Sequence, residues 1–145
     1  MNAAVFAIRL IIGGLLLVAG ALKIGHSVEL AAAMAGFRLL PPVAIGALAL
    51  GLPFFEMLLG FYLIVGLFTR IAATVACAQF VVYAAAVASA VMRQIPANCG
   101  CFGPADAAVA DWPHVAFDLG FALASAFIIY GAPGAFAVDR RLRSS

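Results

Sequence analysis

The chain has 145 residues, of which 67% are hydrophobic and 10% charged, with a formal net charge of +2. That charged share is far below the roughly 25% of ordinary globular proteins, and a mean hydropathy of +1.19 is more than a small soluble fold could hide, because such a fold still exposes much of its surface. A bilayer accepts this composition; a nucleic-acid partner is excluded by the lack of a basic, aromatic-interleaved patch, and a disulfide-dense scaffold by having only three cysteines.

Four segments are apolar over the roughly 20 residues that a spanning helix needs. The first runs from about Ala3 to Leu22 and carries one charge, Arg9. Its end, Val18-Ala19-Gly20-Ala21, resembles a leader cleavage site, but Arg9 lies inside the apolar run, so the segment reads as a retained span. In the next stretch, about Lys23 to Leu40, Leu30, Met34, Phe37 and Leu40 recur at helical spacing. They predict a short amphipathic helix on the membrane surface or folded over the bundle. Pro41-Pro42 leads into the second span, about Val43 to Phe68, with Glu56 as its one charge. The third span, about Ile71 to Met92, has no charge and is studded with alanines such as Ala72, Ala76, Ala84 and Ala88. Small residues of this kind let helix backbones approach closely in lipid.

The segment Asn98-Cys99-Gly100-Cys101-Phe102-Gly103 follows, then Trp112 as a headgroup-level anchor. The fourth span runs from about Val115 to Ala132, with Asp118 near its start, and ends at Gly131-Ala132-Pro133-Gly134. The predicted fold is all-α: a four-transmembrane-helix bundle with a short amphipathic helix in the first outer loop, forming one integral membrane domain over residues 1–145.

Orientation follows from Lys and Arg in the loops. The densest cluster, Arg140-Arg141-Leu142-Arg143, together with Arg70, favours both termini inside. The loop holding Cys99 and Cys101 then faces the extracytoplasmic side, where disulfides persist.

Cys99 and Cys101 are the candidate catalytic residues. One intervening residue allows a disulfide only through a tight ring, which Gly100 eases. Such a bond suits exchange rather than structure. An inert bridge pinning the loop and a metal site completed by His26 or His114 stay open as alternatives. Cys77 lies some 20 Å or more from the outer loop by helical rise and reads as a small buried hydrophobe. Glu56, an ionisable group near mid-membrane, reads as paired or functional. The structural reading pairs it with Arg9; the functional one makes it a proton carrier or a partner for a quinone-like ligand. Lys23 either snorkels to the interface or favours a nearby cysteine thiolate. His114 and Asp118, one turn apart, are placed to hydrogen-bond to each other, while Asp106 and Asp111 read as capping or solvated groups.

These features together resemble the MauE branch of the MauE/DoxX group of small redox-associated membrane proteins. The matching residues are Arg9, Gly13-Gly14 and Ala19-Gly20-Ala21-Leu22-Lys23 in the first span, Leu52-Pro53-Phe54-Phe55-Glu56 and Gly60 in the second, Arg70, and above all Cys99-Gly100-Cys101-Phe102-Gly103. Asp118 departs from an asparagine-like position in the fourth span. The resemblance implies a four-helix bundle in the bacterial inner membrane. It also implies thiol–disulfide redox support, with a thioredoxin-like partner, for the maturation of a protein such as methylamine dehydrogenase. A quinone would be the natural acceptor for electrons leaving through the membrane. The competing readings are a non-catalytic membrane scaffold for a redox partner and a metal-handling membrane protein.

Overall fold

The computed structural model describes residues 2–100 and 108–143; the side chains of Asn2, Arg140, Arg141 and Arg143 are outside that description. Among the described residues there are six helices: α1 (Asn2–Lys23), α2 (Ser27–Gly36), α3 (Pro42–Val65), α4 (Thr69–Met92), α5 (Trp112–Gly131) and α6 (Val138–Arg143). Four of them, α1, α3, α4 and α5, are long and apolar enough to cross a membrane. Large apolar side chains such as Leu50, Phe54, Leu123 and Tyr130 point outward from these helices. In water that surface would be a liability, but against lipid tails it costs nothing. The chain is a multi-pass membrane protein.

Local chemistry sets the helix ends. α3 starts with Pro42 in its first turn, where the missing N–H is no loss. It stops at Val65 rather than Phe68 because Gly66 adopts the left-handed conformation, φ +74°. α5 starts at Trp112 rather than Val115. Asp111 caps it by accepting a hydrogen bond from the His114 N–H, and Pro113 sits in the first turn. The amphipathic helix is present as α2; Leu30 is its buried residue, and it packs on α3.

The bundle is two tight helix pairs, α1 with α3 and α4 with α5, with much thinner contact between α3 and α4. Glycine makes the first pair close. A Cβ on Gly60 would stand 2.5 Å from the Gly13 carbonyl oxygen, and one on Gly20 would stand 2.5 Å from the Pro53 oxygen. Alanine makes the second pair close, with Ala72, Ala73, Ala76 and Ala84 buried along α4. Gly60→Ala is therefore expected to destabilise the protein by about 1–3 kcal/mol, as overpacking does. Gly46→Ala, which meets open space, should be silent. Thermal unfolding in detergent separates the two.

Candidate functional site

The α1–α3 register explains which charges meet. Gly13 lies against Gly60 and Gly20 against Pro53, so the α1 residue Lys23 is level with about Leu50 on antiparallel α3. Six residues, or about 9 Å of rise, then separate it from Glu56. Helical side chains lean toward their own N-terminus. On antiparallel helices Lys23 and Glu56 therefore lean toward each other, whereas Arg9 and Glu56 lean apart.

The structure accordingly pairs Glu56 with Lys23 and not with Arg9. The Lys23 Nζ donates to Glu56 Oε1 at 2.9 Å and to Oε2 at 2.7 Å. Both residues are buried, 2% and 1% exposed, so Lys23 does not snorkel to the interface. Two residues that the sequence reading did not single out complete the cluster. Gln79 Nε2 donates to Glu56 Oε1 at 3.0 Å and to the Tyr83 oxygen at 2.9 Å, and the Tyr83 hydroxyl donates to Glu56 Oε1. A polar pair at i, i+4 within an otherwise alanine-rich span was the available signal. The network ties α1, α3 and α4 together across the gap between the helix pairs. It leaves one group over: Gln79 Oε1 is buried with no hydrogen-bond partner.

Arg9 is fully buried at the opposite end. Its guanidinium donates to the carbonyls of Leu63 at 2.8 Å, Ile64 at 3.1 Å, Pro133 at 2.9 Å and Ala135 at 3.2 Å. These carbonyls sit at and beyond the ends of α3 and α5, where backbone acceptors lack helical partners. A side chain at Gly66 would collide with this guanidinium. Asp139 of α6 closes the same end by accepting from the Phe68 and Thr69 N–H groups at 2.8 and 2.7 Å.

The gap between α3 and α4 widens into a cavity of about 740 Å³. Leu48, Leu52 and Phe55 of α3 face Ala78, Val82 and Ala86 of α4 across it. Met34 and Phe37, in and after α2, also line it, as do Lys23, Gln79, Tyr83, Cys99 and Gly100.

Cys99 is only 9% exposed and packs with Ala84, Val87, Ala110 and Val115. The segment expected as a wet loop is thus folded into the bundle at this point. Its backbone is pinned on both sides: the Cys99 N–H donates to the Ala108 carbonyl at 3.0 Å, and Ala110 N–H to the Ala97 carbonyl at 2.8 Å. Gly100 has φ +63°, a conformation glycine adopts without strain. Cys99 is disulfide-bonded; Cys77 is a free, half-buried thiol against the main core. Cys101 and Asp106 lie outside the described residues.

His114 does not bond to Asp118 as its spacing suggests. Its Nδ1 instead pairs with the exposed Asp111 carboxylate, whose pKa is held below the usual range chiefly by that side-chain bond. Asp118 Oδ2 and, two turns on, Ser125 Oγ are buried without a partner. Among the described residues no three His, Cys, Asp or Glu side chains cluster as metal ligands would. His26 instead stands 3.8 Å from Glu29.

The family described as methylamine utilisation protein MauE matches residues 1–131. The chain belongs to the MauE family. The match takes in all four spans and the Cys99-Gly100-Cys101 segment. No curated protein and no solved structure matches significantly. As a member of the MauE family, the chain is a membrane protein associated with methylamine utilisation.

Proposed function

We propose that this protein is an inner-membrane thiol–disulfide oxidoreductase that supports disulfide formation and maturation in an extracytoplasmic partner. The observation that carries the reading is the placement of Cys99. It is fixed by backbone hydrogen bonds on a glycine-bearing segment, in the lining of a cavity of about 740 Å³ and against the helix that carries Tyr83 and Gln79. An inert loop staple has no need of that position. In this reading the chain's remaining cysteine, Cys101, supplies the second sulfur. Its bond to Cys99 is exchanged with a dithiol of a thioredoxin-like protein: one thiolate of that dithiol attacks the bond, and a mixed disulfide forms. The second thiol then resolves it, leaving the partner oxidised and Cys99 and Cys101 reduced by two electrons.

Both termini face the cytoplasm in this reading, supported by the basic tail of α6, and the cysteine segment faces the oxidising side. Family membership supports a disulfide-rich client such as methylamine dehydrogenase. In cells, Cys99→Ser or Cys101→Ser leaves one thiol, which is expected to attack the disulfide of the oxidised thioredoxin-like partner and be held as a mixed disulfide; the double variant should hold none. Normal client disulfides in the double variant, at normal membrane levels, would sink the proposal.

A further inference from the structure

An exchange pair is useful only if it is reoxidised, and the cavity between α3 and α4 supplies a place for that. We infer that this cavity binds a lipid-soluble quinone, which accepts the electrons of Cys99 and Cys101; the inference rests on the thiol–disulfide reading above. The volume of about 740 Å³ falls within the roughly 300–1,000 Å³ of small-molecule sites. The wall is apolar along Leu48, Leu52, Phe55 and Val82, which suits a prenyl tail.

Its polar residues occur together, and they are incompletely satisfied. The Lys23 ammonium has three donors, two of which go to Glu56. Gln79, 8% exposed, has its Oε1 buried and unpartnered. A ring carbonyl accepts from a donor such as the remaining Lys23 N–H, and a ring hydroxyl donates to an acceptor such as Gln79 Oε1. A quinone offers the first when oxidised and the second when reduced. A phospholipid chain offers neither, and leaves the buried polar group unpaired, which is unfavourable.

Cys99 lies within reach of the same space. It packs on Ala84 and Val87, one and four residues beyond Tyr83, which is about one helical turn or 5.4 Å. The step balances: two thiols lose two electrons and two protons and form one disulfide, and the quinone gains both and becomes the quinol.

The test uses the full-length protein in nanodiscs with decylubiquinone as the probe. Calorimetric binding is expected for the wild type. Ala86→Phe, which fills the cavity, and Gln79→Leu are each expected to weaken binding tenfold or more. Val81→Phe on the lipid-facing side of α4 controls for insertion and should bind normally. Anaerobic mixing of the reduced wild type with decylubiquinone should yield one quinol per disulfide formed. Absent binding, binding unaffected by Ala86→Phe, or binding without quinol formation overturns the inference. If the cysteines still cycle with their partner in cells, those results leave the thiol–disulfide reading intact. Cysteines that never cycle in cells would overturn that reading instead, even with quinone bound.

Discussion

Glu56→Gln is expected to destabilise the protein by about 3–5 kcal/mol, because it leaves the Lys23 ammonium buried without its counter-charge. The ammonium is 2% exposed and has both Glu56 oxygens as partners. The amide retains the shape of the carboxylate and one acceptor oxygen for Tyr83 and Gln79. The damage therefore comes from the unpaired charge rather than from lost packing. Adding Lys23→Met should recover most of the loss, since a buried ion pair replaced as a unit by neutral groups is often close to neutral. The readout is a thermodynamic double-mutant cycle from unfolding in mixed micelles. Additive losses in the double variant would mean that the pair is not coupled.

Arg9→Lys is expected to cost about 3 kcal/mol or more, at the opposite end of the same helix. The guanidinium spans four carbonyls from two chain segments. An ammonium has three donors and no planar fork, so it leaves at least one buried acceptor unmet, and hydrogen bonds to charged groups are worth about 1.5–3 kcal/mol each. Arg9→Met should be worse, with all four carbonyls stranded. The loss should also reach α6, which meets the loop after α3 where the Asp139 N–H donates to the Gly66 carbonyl. Faster hydrogen exchange at Phe68 and Thr69 would report it. Unchanged exchange there would show that Arg9 holds only α3.

The four spans were legible because apolar length is a one-dimensional property that the bilayer reads directly. Their ends shifted by about three residues where single residues decided them: Gly66 through its left-handed backbone, and Asp111 with Pro113 through capping. The pairing of charges was not legible. Depth alone allowed Arg9 to reach Glu56, but depth ignores the register that Gly13, Gly20 and Gly60 impose and the direction in which helical side chains lean. Arg9 and Lys23 are 14 residues apart, nearly four turns. They therefore occupy one face of α1, and both end up against α3 at different levels. Gln79 and Tyr83 were missed because uncharged polar groups in an alanine-rich helix look like tolerated exceptions until a carboxylate is found facing them. The burial of Cys99 was also hidden, since it depends on Ala84 and Val87 being small enough to let the segment in.

The proposed function requires Cys99 and Cys101 to cycle between disulfide and dithiol. Acid-quenched thiol trapping in intact cells, with a mass-tagged maleimide and Cys77 replaced by alanine, tests it directly. A mixed population is expected, shifting toward the dithiol when quinone reoxidation is blocked and toward the disulfide when the thioredoxin-like partner is deleted. A pair that stays fully oxidised under both conditions, with client disulfides forming normally, would contradict it.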